Sequence, residues 1–460
     1  KGWNMLNECL AVGRSITLPS TASGGAKAGA VIGGSYARIR KQFGLSVGRF
    51  EGVEEALARI GGKAYKISAL SQATAAAVDR GDVPSVPSAI AKYHCTTMAR
   101  ECIGDLMDVI GGKGIILGPR NFAGRSWQAS PVAITVEGAN IMTRSLLIFG
   151  QGAILCHPWV LQEMKAAQDE DKARGLREFD RNLFGHIRFG ISNAVRSFWF
   201  GLTGARFGAA PGDDYPRRFF RKLDRYSANL ALMADVSMMT LGGKLKFKES
   251  LSGRLGDVLS HIYMTSAMLK RYHDEGAPQA ERPLLAWAFH DSVHKIEESL
   301  SAALRNFPIR PIGWLMWALV FPLGRRAEAP GDRLSRRVAA LLMSPNEARD
   351  SLARGVFLTP GEHNPGGRIA SYLEKAVQAE PVERKFLKAL KTRGIEALDF
   401  PAQLDEAVAH GVITADERTL LEELRAITLD TITVDDFDAH ELRAATYYDR
   451  GGTDDARAAA

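Results

Sequence analysis

The sequence predicts an all-α fold: a bundle of long helices followed by a further helical region. Strand alternation is almost absent, and apolar residues recur at helical spacing in one segment after another. The segments are parted by short Gly/Pro breaks rather than long loops, as in a helical bundle. With 46% hydrophobic and 24% charged residues, the 460-residue chain is globular and can bury a large core. Its length allows two or three domains.

The elements follow in order. Residues 1–30 carry a helix rich in small residues, and residues 28–42 a helix ending at Phe43-Gly44. An amphipathic helix is predicted over Val53–Asp79. Gly81-Asp82-Val83-Pro84, with Pro87, breaks the pattern before a helix over Ala89–Ile110. The glycines of Gly111-Gly112-Lys113-Gly114 suit a helix C-terminus. An irregular stretch, Gly118 to Pro131, leads to Ile134–Asn140 and an apolar helical run, Ile141 to Leu155.

Near Cys156 the texture changes, and Glu163 to Arg177 is highly charged. Helices are expected near 180–206, 217–241, 255–274 and 282–305. Pro308 to Gly331 interrupts them. Further helices are expected near 346–355, 367–379, 382–394, 402–410 and 415–427, before an acidic tail, Asp430 to Asp438. These shifts divide the chain into residues 1–155, 156–335 and 336–460. Lys1 is not an initiator Met, and the first residues resemble the inside of a helix. The sequence is therefore expected to be the C-terminal part of a longer protein.

The formal charge is +7 with a pI of about 9.2. Such a balance suits an acidic partner (nucleic acid, an anionic membrane or a phosphate-bearing ligand), and composition alone slightly favours a solvated basic surface. No nucleic-acid role is expected. Cys9, Cys95, Cys102 and Cys156 are scattered without CxxC or metal spacing, as in reduced, structural thiols. Gly111-Gly112-Lys113-Gly114 lacks the GxxxxGK[ST] pattern and a preceding strand, which argues against an NTPase. His290 and His294 lie four apart but are not HExxH, so no metal is expected. His94-Cys95 and Cys156-His157 are sequence neighbours, not catalytic dyads.

The most informative carboxylate is Glu137, in Ile134-Thr135-Val136-Glu137-Gly138-Ala139-Asn140. It lies where a loop becomes an apolar helix, a costly place for a charge without a partner or a role. Burial would disfavour its ionised form and a helix N-terminus would favour it, an opposition that suits a general base. A first-turn surface charge is the alternative.

Several segments together resemble the acyl-CoA dehydrogenase family. Arg40-Lys41-Gln42-Phe43-Gly44 is similar to its Arg-x-x-Phe-Gly signature. Asp108 to Gly114 resembles its Gln-x-x-Gly-Gly-x-Gly segment, and Glu137-Gly138 falls where its catalytic Glu-Gly lies. Leu10-Ala11-Val12-Gly13-Arg14 resembles the start of the same C-terminal helical domain. The match covers residues 1 to about 155, in the family's order and spacing. The helical region that follows makes the chain most similar to the large bacterial fatty acyl-CoA dehydrogenases.

The resemblance implies oxidation of medium/long-chain fatty acyl-CoA to trans-2-enoyl-CoA. Glu137 would take the C2 proton and FAD would accept hydride from C3. The thioester carbonyl would be polarised by the flavin and by the backbone N–H of Glu137. Arg40 would contact the flavin pyrophosphate with Phe43 beside it, across a dimer interface. Gly111 and Gly112 would face the adenosine half. Arg14 would lie near the substrate, and Gly138 would permit its close approach. Some members carry the base just before that arginine, a position held here by Gly13. Electron-transfer flavoprotein is the implied acceptor and a homodimer the implied assembly. The chain departs from the family pattern at Glu51, Asp108, Gln128-Ala129 and Ala139. The two new acids would need compensation near a diphosphate. An acyl-CoA oxidase, or a helical scaffold without catalysis, are the competing readings.

Pro311 to Gly324, with Trp314 and Trp317, is too short to span a bilayer, which needs about 20 apolar residues. Arg305, Arg310, Arg325, Arg326, Arg333, Arg336 and Arg337 flank it. That pattern suits a helix lying in a membrane interface. A contact through 308–326 on the cytoplasmic side of a bacterial inner membrane is expected, with a buried helix or dimer contact as the alternative.

Overall fold

The structure, a computed structural model, describes residues 13–155, 157–208, 210–211, 214–392, 395 and 397–438, together with Gly2 and Met5. Cys9, Cys156, Leu10-Ala11-Val12, Gly394 and the Ala-rich end lie outside the described residues. So does the first part of the helix expected over residues 1–30.

Three long helices form the first bundle: α1 (Leu18–Ile39), α2 (Glu51–Asp79) and α3 (Ser85–Ile110). Small residues along α1, among them Ala26, Ala30 and Ala37, are buried and let α2 and α3 approach closely. The helix expected over 28–42 ends earlier, at Ile39. Arg40 is extended, and Lys41–Gln42 pairs antiparallel with Leu45–Ser46 as a short hairpin, β1 and β2. Phe43 and Gly44 turn that hairpin with φ of 53° and 78°. After α3, short helical turns lead to a continuous run, Asn140–Leu155, whose middle, Thr143–Ile148, is π-helical. A second π turn, Gly13–Thr17, precedes α1. Glu137 lies between these two turns in sequence, and π segments occur frequently at functional sites.

The rest of the chain wraps this bundle. Helices α4 (Val160–Ala167), α5 (Lys172–Thr203), α6 (Asp214–Leu241), α7 (Glu249–Asp274) and α8 (Arg282–Arg305) follow in order. Two shorter helices, α9 (Arg310–Val320) and α10 (Asp332–Leu342), come next. Then come α11 (Glu347–Ala353), α12 (Pro365–Ser371), α13 (Leu373–Thr392), α14 (Phe400–Ala409) and α15 (Ala415–Ile432). A full capping box starts α15: Thr414 accepts from the Glu417 N–H and Glu417 accepts from the Thr414 N–H. The two helices expected at 367–379 and 382–394 differ from those found, because α13 runs straight through Pro381. An internal Pro costs about 3 kcal/mol. Burial of Ala376, Ala379, Phe386 and Ala389 along the same helix offsets that cost. Most of the buried apolar residues form one contiguous cluster from Ala22 to Ile427. Helix α8 meets α2 at Gly62, where a Cβ would lie 1.9 Å from the Trp287 ring.

A buried ionic group ties these layers. Lys66 on α2 is fully buried and pairs with Asp291 on α8, which Lys295 also reaches at 3.1 Å. Burial lowers Lys66 to about 8, against the pull of Asp291. The two lysines hold the Asp291 carboxyl well below its ordinary range although burial opposes them. The helices around Lys66 also bury His94 and His261, whose rings lie 5.2 Å apart.

Candidate functional site

Glu137 sits on a loop that two cationic side chains hold. Its own φ is 57° and that of Gly138 is 103°, so two consecutive residues are left-handed. For glutamate that conformation is sterically costly, and such strain persists where the surroundings over-determine it. Arg14 Nε donates to the Glu137 carbonyl at 2.6 Å. From α3, Lys92 Nζ donates to the carbonyls of Gly138 (2.7 Å) and Ile134 (3.3 Å) and to Asn140 Oδ1 (2.6 Å). Asn140 in turn donates to the hydroxyls of Thr96 and Thr97.

The Glu137 carboxylate rests against Gly13. A Cβ there would lie 2.3 Å from Oε1 and 2.8 Å from Oε2, so only glycine fits beside this carboxylate. Oε2 is buried and makes no hydrogen bond among the described residues. A carboxylate oxygen left bare at a site costs stability unless something else uses it. Beside the loop, α1, α3 and residues 122–136 enclose an apolar groove of about 540 Å³, lined by Leu18, Ala22, Ile103, Phe122 and Val136 among others.

The other expected residues gather elsewhere. Arg40 Nη1 donates to the Tyr36 hydroxyl at 2.6 Å, and that hydroxyl donates to the Ile110 carbonyl at 3.1 Å. The guanidinium is thereby tied to the end of α3, where Gly111 and Gly112 follow. Gly111 has a φ of 59°, and a Cβ on either glycine would meet open space. Phe43, at the hairpin tip, is 93% exposed. Arg14, Gly138 and Glu137 therefore lie at the start of α1, and Arg40, Phe43, Gly111 and Gly112 at its end. The 22 residues of α1 separate the two groups by about 33 Å at ~1.5 Å per residue. Of the two acids that depart from the family pattern, Glu51 is paired with Arg336 from α10 at 2.6 Å, and Asp108 is exposed.

His294 bonds the Ala327 carbonyl and lies near Glu298. Among the described residues one group, His157, His186 and Asp235, has ligand-type spacing. His157 Nδ1, however, accepts the N–H groups of Trp159 and Val160. Its proton must then sit on Nε2, which donates to Asp235 at 2.7 Å and has no lone pair for a metal.

Sequence reasoning missed Lys92 and Asn140. The available signal was a lysine inside the apolar run Ala89-Ile90-Ala91-Lys92, where a cation must find acceptors.

Comparison with known proteins decides the family. The bacterial-type acyl-CoA dehydrogenase C-terminal model matches residues 154–437, and the acyl-CoA dehydrogenase C-terminal domain model matches residues 1–148. The chain belongs to the acyl-CoA dehydrogenase family. Among solved structures, the Bacillus anthracis acyl-CoA dehydrogenase complexed with FAD is 15% identical, with a TM-score of 0.55. That match covers 73% of this chain and 55% of that one. Acyl-CoA oxidase3 from Yarrowia lipolytica is 14% identical with a TM-score of 0.51, over 88% of this chain and 56% of that one. At such identities the likeness concerns the fold. The chain spans about half the length of those structures.

Proposed function

We propose that this chain carries the catalytic base of an FAD-dependent enzyme that oxidises medium/long-chain fatty acyl-CoA to trans-2-enoyl-CoA. The observation that carries the proposal is the bare Glu137 carboxylate, packed on Gly13 at the rim of an apolar groove. In this reading the acyl chain enters that groove past Val136, and the C2 proton passes to a Glu137 carboxylate oxygen. Arg14 holds the loop that bears the base and faces the thioester end. Gly138, with no side chain, allows the substrate to come close. Bound FAD supplies the acceptor for the hydride that leaves C3.

The residues at the far end of α1 fit a flavin diphosphate and adenosine. Arg40 is braced by Tyr36, and Gly111 and Gly112 leave the space a flat ligand needs. Because they stand about 33 Å from Glu137, we assign them to the flavin of a second copy, with the exposed Phe43 at that contact. This supports a homodimer. Residues 156–460 act in this reading as the buttress of the site-bearing part, with electron-transfer flavoprotein as the electron acceptor.

Full-length protein given palmitoyl-CoA and an artificial acceptor is expected to yield trans-2-enoyl-CoA, with no hydrogen peroxide formed in air. Peroxide equal to product would instead make it an oxidase. Absence of enoyl product would leave the non-catalytic scaffold.

A peripheral membrane contact through 308–326 also belongs to this proposal. No helix among the described residues is long and apolar enough to cross a membrane. Helix α9 buries Gly313, Met316 and Val320 and presents Trp314 and Leu315, 68% and 62% exposed. Trp317, the second tryptophan of that segment, packs on Phe321, with ring centroids 5.2 Å apart. Helix α5, which meets Pro322 at Gly201, also exposes Trp199 and Leu202. Replacing Trp314 and Leu315 together by Ser is expected to weaken sedimentation with anionic phospholipid vesicles. Unchanged sedimentation would remove the contact.

A further inference from the structure

We infer that Lys92 is the positioning residue of the catalytic loop: its three hydrogen bonds, to the carbonyls of Ile134 and Gly138 and to Asn140 Oδ1, hold Glu137 in its left-handed conformation and aim its carboxylate. The inference rests on Glu137 being the base.

Lys92 is fully buried on α3, which is unusual for a lysine and requires compensation. An ammonium has three N–H donors and no acceptor. Three acceptors surround it, all from residues 134–140, so donors and acceptors match one to one. Two of them flank Glu137 along the chain: Ile134 three residues before, Gly138 immediately after. The third, Asn140, is the first residue of the helical run that follows. Asn140 is itself fixed by Thr96 and Thr97, and the Thr96 hydroxyl donates to the Lys92 carbonyl at 2.7 Å. Lys92, Thr96 and Asn140 thus form a closed polar ring within the interior. Burial lowers the Lys92 ammonium to about 8, with Arg14 adding to the effect and Glu137 opposing it. It therefore keeps its third proton at neutral pH, as the three acceptors require.

Arg14 alone does not define the loop. It takes the Glu137 carbonyl, whereas Lys92 takes the carbonyls of Ile134 and Gly138 on either side; without Lys92 the Gly138 carbonyl keeps the long 3.4 Å bond from the Thr143 hydroxyl. Release of the peptide that follows Gly138 lets Gly138 leave its left-handed conformation, and the strain at Glu137 then relaxes by turning its carboxylate away from Gly13.

The test uses the full-length holoenzyme with Lys92→Met, which keeps the apolar stem and removes the donors. Flavin reduction by palmitoyl-CoA is expected to slow on the order of 10²-fold, as for a misplaced catalytic group, with KM little changed. The isotope effect with C2-deuterated substrate is expected to rise, because proton transfer becomes more limiting. Amide hydrogen exchange over residues 134–140 is expected to quicken while that of α2 stays unchanged, a readout independent of the flavin. A folded Lys92→Met protein with wild-type reduction rate, isotope effect and exchange would overturn the inference. If that variant does not fold, Asn140→Ala decides. A slower reduction with a raised isotope effect supports the ring, and wild-type behaviour overturns it. Glu137→Gln in the same assay keeps the two claims apart. A fast Glu137→Gln removes the base itself, whereas a slow Glu137→Gln beside a fast Lys92→Met removes only the role of Lys92.

Discussion

Full-length Glu137→Gln is expected to reduce its flavin on the order of 10⁴-fold more slowly than wild type, the upper range for a lost general base. The amide keeps the shape and volume of the carboxylate and so its contact with Gly13, where a Cβ would lie 2.3 Å from Oε1. It has no basic lone pair to take the C2 proton. Loop geometry is fixed by the Arg14 and Lys92 bonds to backbone oxygens, which the substitution leaves alone. Thermal stability and FAD content should therefore match wild type, and KM should change little. Anaerobic stopped-flow absorbance after mixing with palmitoyl-CoA measures the rate. An unchanged rate would mean that another group removes the proton.

The largest effect on stability is expected for Asp291→Asn, at about 3–5 kcal/mol from breaking a buried ion pair. Lys66 is fully buried with Asp291 as its ion-pair partner, and an asparagine there leaves the ammonium uncompensated. The exposed pairs of the molecule, such as Lys270 with Asp274, contribute far less because solvent screens them. Lys66→Met together with Asp291→Leu is expected to recover much of the loss, since an apolar pair of similar volume removes both charges. Urea unfolding followed by helical circular dichroism checks both variants. A midpoint for Asp291→Asn equal to wild type would show that the pair carries no weight.

Much of the fold was legible because helix periodicity is local. The helix expected over Val53–Asp79 is found at Glu51–Asp79, and that over 282–305 at Arg282–Arg305. The failures have tertiary causes. Pro381 suggests a break, yet burial on both sides of it carries α13 through. Phe43-Gly44 suggests a helix end, which is correct in kind. The strands on either side have two residues each, too few to leave an alternating pattern. At the site, Glu137, Arg14 and Gly13 could be named in advance because their two segments resemble those of a known family. Lys92 could not, because its acceptors are mostly backbone carbonyls 42 and 46 residues away, and carbonyls have no sequence signature. The compensation of Glu51 was equally hidden: its partner, Arg336, is 285 residues distant.

In the proposed reaction a carboxylate at this point in space removes the C2 proton, whichever residue supplies it. Moving the carboxylate tests that most directly. Glu137→Gly removes the base and clears the space over Gly13; adding Gly13→Glu returns a carboxylate from the neighbouring helix, whose Cβ position lies within 2.8 Å of both present carboxylate oxygens. The measurement is the anaerobic rate of flavin reduction by palmitoyl-CoA in full-length wild type, single and double variants. The expected result is a nearly inactive Glu137→Gly protein and a clear recovery of rate in the double variant. A Glu137→Gly protein as fast as wild type, or a double variant that binds acyl-CoA and reduces its flavin no faster than the single one, would contradict it.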